Sequence, residues 1–204
     1  DNITVYRNDG DNNQHSWLNI ESGTELQFYG GKRLYIGKDH GGGGYWGGIQ
    51  AEGVTFTAFS EGAENRWGGI TFYNKSWDGE ENNFIKSCII SNADEAISCI
   101  SANPVIRNST FNGNGNAIFA DEGSQPTASY NTFTANSRPV YIYPHKIDNN
   151  LYGNSYSDNA KDYIEVPGGH LSENKTYHWL KDGAPYVITD NINVYREYNG
   201  DGQH

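Results

Sequence analysis

Methionine is absent from the 204 residues, cysteine occurs twice, and lysine and arginine total 14 against 25 acidic residues. The shortage of basic residues excludes most. A net charge of −11 leaves no basic cluster for nucleic-acid phosphate or an anionic membrane surface. No apolar run approaches the roughly 18 residues that a spanning helix needs. Two cysteines say little about redox compartment. The chain begins at Asp1 with neither a methionine nor a signal peptide, as expected of a processed product or a piece of a longer chain. What the chain has in quantity is Gly (25) and Tyr (15), with 5 Trp. Together with Asn, Ser and Thr this composition suits an extracellular or cell-surface location. The length suits one large domain or two small ones.

Two repeats organise the chain. The long one joins "DNITVYRNDGDNNQH" (residues 1–15) to "DNINVYREYNGDGQH" (residues 190–204): eight of fifteen positions match without a gap, at an offset of 190 − 1 = 189 residues. This reads as one unit plus the restart of a second copy. The short repeat divides residues 82–147 into three coils of 22, and a fourth follows with a slip of one residue. Ile89, Phe111, Phe133 and Tyr156 share one column, Phe84, Ile106, Ala128 and Leu151 another, and Asn92, Asn114, Asn136 and Asn159 a third. Alternating pairs recur after each Asn: Ile97/Cys99, Ile118/Ala120, Val140/Ile142 and Ile164/Val166. Alternation over so few residues marks a strand, and Asn, Gly, Ser and Thr interrupt every helical window. A period near 22 with short strands and Asn/Gly corners predicts an all-β parallel solenoid, in which stacking buries what one coil cannot. The Asn column then has a mechanism: Asn accepts a left-handed corner, and stacked amides bond from coil to coil.

Outside the regular coils the signals weaken. "WGGI" at Trp46–Ile49 and again at Trp67–Ile70 echoes the period. Residues 168–189 break it and predict a β-hairpin turning at Asp182-Gly183, leading into the restart. "YHWLKDGAPYVITDNINV", "WLNIESGTELQF", "GIQAEGVTFTAFS", "RWGGITF" and the Asn-cornered coils resemble the right-handed β-helix domains of the pectin-lyase-like superfamily. More narrowly, they resemble its large repetitive bacterial and archaeal surface proteins. The resemblance implies the fold but leaves the activity open, since that fold hosts lyases, hydrolases, adhesins and structural fibres.

The motifs of the superfamily's enzymes are missing. Asn-Thr-Asp, Asp-Asp, Gly-His-Gly and Arg-Ile-Lys, which mark polygalacturonase-like hydrolases, do not occur, nor do the Trp-Ile-Asp-His and Arg-x-x-Pro-x-x-Arg strings of pectate lyases. Were the chain a lyase, Arg138 or Lys161 would serve as base, with Asp94, Asp121 and Glu122 holding a cation. The six histidines show no paired metal spacing. No cofactor is expected. Ca²⁺ is the one ion with candidate ligands, Asp9, Asp11 and Asn13 or Asp78, Glu80 and Glu81, in loops unlike an EF-hand. Cys99 falls in an inward column and Cys88 in the column of Thr110, Thr132 and Ser155, so a disulfide between them stays open. Asn2, Asn74, Asn108 and Asn174 begin glycosylation sequons.

The expectation is therefore a right-handed parallel β-helix over residues 1–167, followed by a hairpin or strand extension over 168–204 that links to a neighbouring unit. Its partners would be copies of itself or adjacent repeat units, with a polysaccharide as the alternative. The expected assembly residues are Ile3, Val5 and Tyr6 at one end and Tyr186, Ile188, Ile192, Val194 and Tyr195 at the other. Phe119, Tyr141 and Tyr143 would form an outward aromatic stripe for sugar rings or a neighbouring subunit. The segment 186–204 would leave its own domain and begin the next. One unit would then advance a fibre by about 40 Å, taking 189/22 coils at ~4.8 Å each.

Overall fold

A computed structural model describes residues 1–6, 16–38, 46–60, 65–74, 76, 83–171 and 176–195. The acidic runs with candidate Ca²⁺ ligands, the Asn174 sequon and residues 196–204 of the restart lie outside these. Among the described residues every strand pairing is parallel, and strands stack with their counterparts in the next coil. Sheet one holds eight strands: Ile3–Val5, Arg33–Ile36, Gly69–Tyr73, Glu95–Ile100, Asn116–Ala120, Arg138–Tyr141, Ile164–Val166 and Tyr186–Ile188. Sheet two runs from Ser16–Ile20 through Gly47–Glu52, Phe84–Lys86, Val105–Arg107 and Thr127–Ser129 to Leu151–Tyr152. Sheet three runs from Glu25–Phe28 through Thr55–Ala58, Ile89–Ser91, Thr110–Asn112 and Thr132–Thr134 to Ser155–Ser157. The chain winds one, two, three, one, and the solenoid core lies between the three sheets.

The inward columns of sheet one are those its alternation predicts. Ile97, Ile118, Val140 and Ile164 pair in register and are fully buried, as are Cys99, Ala120, Ile142 and Val166. Phe111 and Phe133 are likewise buried, stacked at 5.1 Å with Tyr156 next in the column. Ile89 is not inside. It is 48% exposed, and Ile90 faces Phe111 instead. Phe84 gives way to Ile85 in the same manner. From Ile90 to Phe111 the chain takes 111 − 90 = 21 residues, one fewer than a uniform 22-residue frame assumes. With a strand period of two, a slip of one residue exchanges the faces.

That slip also corrects the corner columns. The residue preceding each buried corner residue carries positive φ: Ser87, Asn108, Tyr130 and Gly153 at one corner, Asn92, Gly113, Ala135 and Asp158 at the other. Asn92 is therefore a left-handed corner residue, and Ala93 takes the buried place before Asn114. Cys88 belongs with Ser109, Asn131 and Asn154, not with Thr110. Cys88 and Cys99 are both buried and are not joined by a disulfide, and burial pushes the Cys88 thiol above its ordinary range.

The buried amides form two one-way ladders. The backbone N–H and Nδ2 of Asn114 donate to Oδ1 of Asn136 (3.0 Å each), and Asn136 donates likewise to Asn159 (2.9 and 3.0 Å). Each Nδ2 also donates to a carbonyl of the preceding coil, Ile90, Phe111 or Phe133, at 3.0 Å. The second ladder runs from Ser109 through Asn131 to Asn154. Each ladder ends on a carboxylate. Asn159 donates to Asp162, and Asn154 to Asp182, which also accepts the Tyr156 hydroxyl at 2.8 Å. A carboxylate only accepts, so it ends a chain of donors pointing one way.

The "WGGI" echo is not a repeat of one coil position, since Gly47 opens a strand of sheet two and Gly69 one of sheet one. Both admit close backbone approach. A Cβ on Gly47 would fall 1.9 Å from the Val5 carbonyl oxygen; on Gly69, where φ is +102°, 1.6 Å from that of Glu95. A real side chain at either place would push the coils apart.

Candidate functional site

Two surfaces gather the residues singled out from sequence: the outer face of sheet one, and the C-terminal end. On the outer face Tyr35, Thr71, Ser98, Phe119, Tyr141 and Glu165 succeed one another rung by rung. Phe119 and Tyr141 stack at 5.2 Å and 18°, while Tyr143 meets Tyr141 edge-on at 6.0 Å. The Arg138 guanidinium lies 4.7 Å from the centroid of Tyr141. The facing ring surfaces are thus engaged with each other, and a sugar would meet ring edges there rather than open platforms. Burial, then the hydrogen bond to Tyr143, raises the Tyr141 hydroxyl above its usual range. Ser98 faces outward in the register yet is buried.

Beside the rings runs a polar chain. Arg33 Nη1 donates to Thr71 at 3.0 Å and lies 3.6 Å from Glu95. Asn116 bonds Glu95 at 3.4 Å and accepts from Arg138 Nε at 2.9 Å. Arg138 and Lys161 then share one carboxylate, Glu165, at 3.4 and 2.7 Å. The two residues that a lyase reading would use as base are brought together, but each is committed to an acid. The hydrogen bond to Glu165 raises the Lys161 ammonium pKa, the opposite of what a neutral-pH base needs. Asp121 is taken up at its corner, accepting from Ser101 N–H of the preceding coil at 2.9 Å and from Ser124 Oγ of its own turn at 2.6 Å. Asp94, Asp121 and Glu122 are not assembled into a cation site. Among the described residues no three His, Cys, Asp or Glu side chains are grouped to hold a metal.

The C-terminal end departs most from expectation. Among the described residues of 168–189 no antiparallel pairing occurs. Tyr186–Ile188 adds parallel to Ile164–Val166 as the eighth rung of its own solenoid, so the sheet does not break at residue 167. The reason is an otherwise unpaired sheet edge within reach of the chain. Before that rung, residues 176–185 lie across the ends of sheets two and three and close the core, a cap made without a helix. His178 N–H donates to Asp148 (3.0 Å), Asn149 N–H to the His178 carbonyl (3.1 Å) and Trp179 Nε1 to the Pro144 carbonyl (3.1 Å). Trp179, Ala184 and Tyr186 pack on the core, with Trp179 and Tyr186 rings 5.4 Å apart. Burial and the Asp182 charge push Tyr186 up to about 12 and Tyr156 well above 10.

The segment therefore does not leave its domain at Tyr186. A second, offset pair follows: Ile192–Val194 runs parallel to Gly169–Leu171, matching Ile192 to Gly169 and Val194 to Leu171. Exposed apolar side chains collect here, with Ile188 at 54%, Val194 at 77% and Tyr195, beside His170, at 45%. At the other end Ile3 is 53% exposed, Val5 half-buried, and Lys38 sits over the Tyr6 ring at 5.0 Å. Among the described residues no helix is long and apolar enough to cross a membrane.

Three stacked parallel sheets with laddered corners define the class as a parallel β-helix. The family model for the right-handed beta helix region matches residues 48–181, more than half of the chain, and the chain belongs to that family. No curated protein and no solved structure matches it. The missed features had faint signals. Asp182, which ends one ladder, falls in the expected Asp182-Gly183 turn, and the cap is legible only as the place where the period stops.

Proposed function

We propose that this β-helix is a non-catalytic structural repeat unit of an extracellular or cell-surface protein, associating with copies of itself or adjacent units. The 189-residue restart carries the reading: the strand Ile192–Val194 is the sequence counterpart of Ile3–Val5, and a catalyst gains nothing evident from reopening its own first strand. The commitment of Arg138 and Lys161 to Glu165 supports it, as does the mutual stacking of Phe119 and Tyr141.

The competing reading is a polysaccharide-binding or lyase-like β-helix. The observation in its favour is the continuous polar and aromatic face of sheet one. The test is incubation with pectate, polygalacturonate, alginate and chondroitin, with and without Ca²⁺. The structural reading expects neither unsaturated products nor new reducing ends. Turnover that disappears in Arg138→Ala or Lys161→Ala would overturn it in favour of the lyase.

A further inference from the structure

Resting on the repeat-unit reading, we propose that Gly169–Leu171 is the docking strand for the first strand of the next copy, so that successive β-helices are joined side-stepped rather than stacked coaxially. The occupant is the next unit's Ile3–Val5, and its place is marked by its counterpart Ile192–Val194.

The chain itself forces the step. In sheet one, Ile3 and Tyr186 belong to one inward column, reached through Leu34, Ile70, Ile97, Ile118, Val140 and Ile164. A coaxial array would seat the next copy's Ile3 directly on Tyr186. One turn of this solenoid uses at least 118 − 97 = 21 residues, whereas 192 − 188 = 4 separate Ile188 from Ile192. So short a link cannot circle the core. The counterpart of Ile3 therefore lies six residues along from Tyr186 on the same rung level, a sideways shift of at most about 20 Å at ~3.3 Å per residue. The eight rungs of sheet one make seven steps, so the axial advance per unit is about 34 Å at ~4.8 Å each, provided neighbouring axes are parallel.

Local features fit a built joint. Pro167 follows the last residue of the Ile164–Val166 strand, and Gly168 permits the bend: a Cβ there would sit 2.7 Å from the Asn191 carbonyl oxygen. Gly169 N–H donates to that same carbonyl at 3.0 Å, and Tyr195 N–H to the Leu171 carbonyl at 3.3 Å. An open polar cleft of about 550 Å³, lined by Tyr143, His170, Asp190 and Asn193 among others, lies beside the bend. The offset also leaves the cap over residues 176–185 in place, so each unit keeps a closed core.

The experiment uses the full 204-residue chain preceded by a second copy of residues 1–189, with Leu171→Cys in the first copy and Val5→Cys in the second. Adjacent parallel strands bring paired Cα atoms within disulfide range. Near-complete cross-linking on mild oxidation is expected, and the same from His170→Cys with Thr4→Cys, the neighbouring pair on the opposite face. Ile188→Cys with Val5→Cys, the coaxial pair, should give none. Cross-linking of the coaxial pair, or none from either joint pair while both units fold, overturns the joint. A second copy that fails to fold behind the first overturns it as well. The repeat-unit reading stands or falls separately, on the mass of the native polypeptide.

Discussion

The coils over residues 16–73 and those over residues 83–166 share one architecture and are held by different devices. In the first region successive sheet-one rungs are far apart in sequence: 70 − 34 = 36 residues from Leu34 to Ile70, and 97 − 70 = 27 from Ile70 to Ile97. The core there includes an aromatic cluster packed beside Leu34, Ile36, Ile49 and Ile70. Trp67 is fully buried, stacks on Phe28 at 4.4 Å, lies 6.4 Å from Phe56 and donates its indole N–H to the Ser91 carbonyl. In the second region the steps shorten to 21, 22 and 24 residues, through Ile97, Ile118, Val140 and Ile164. Aliphatic columns and the Phe111–Phe133–Tyr156 stack fill the core there, and amides fill the corners. Trp67 bridges to Ala93, the residue just before the Asn114 ladder, so the devices meet at one corner.

The largest expected effect comes from breaking the shared architecture. Phe133→Asp, or Phe111→Asp, places an unpaired carboxylate in a column with no exposure, costing several kcal/mol. Circular dichroism should show loss of the fold; a soluble variant of wild-type stability would refute the coil register.

Next are two substitutions that separate the regions. Trp67→Ala should cost about 3–5 kcal/mol through lost burial and a cavity. Asn136→Ala leaves the Asn114 N–H and Nδ2 short of an acceptor and the Phe111 carbonyl without its amide donor, at about 1–3 kcal/mol for each buried group left unsatisfied. Since each coil contacts chiefly its neighbours, hydrogen exchange should place the first loss around Gly69–Tyr73 and the second around Thr132–Thr134. Identical exchange maps for the two variants would contradict a division of labour.

A smaller effect is alkaline. Tyr186 is held up to about 12 by burial and by Asp182, and Tyr156 is raised by the same causes. Because the unfolded tyrosines lose protons near pH 10 and the folded ones later, this stabilisation is complete below pH 10 and is lost as the pH rises toward 12. Denaturant titrations across that window should show a steeper decline for the native chain than for Tyr186→Phe. The smallest effect has the opposite sign. Ala135 is exposed with φ +55°, so Ala135→Gly should stabilise by about 0.5–1 kcal/mol, read as a rise in melting temperature.

The same contrast explains what the amino-acid pattern reveals. Columns such as Ile118/Val140/Ile164 and Asn114/Asn136/Asn159 are legible because coils of nearly constant length repeat their chemistry in register. The position of Ile89 is not, because one missing residue leaves the composition of a coil unchanged while reversing its faces. Parallel addition of Tyr186–Ile188 is also hidden, since Asp182-Gly183 reads locally as a tight turn and the strand's partner lies 22 residues upstream. The engagement of Arg138 and Lys161 with Glu165 depends on which rungs adjoin, so it emerges only from the register.

The repeat-unit account is tested most directly by the mass of the polypeptide in its native source, measured on denatured, reduced material. It predicts a chain well above the 22.7 kDa of these 204 residues, with limited proteolysis yielding fragments spaced by about one 189-residue unit. A native chain of 22.7 kDa, with no larger species, would contradict it.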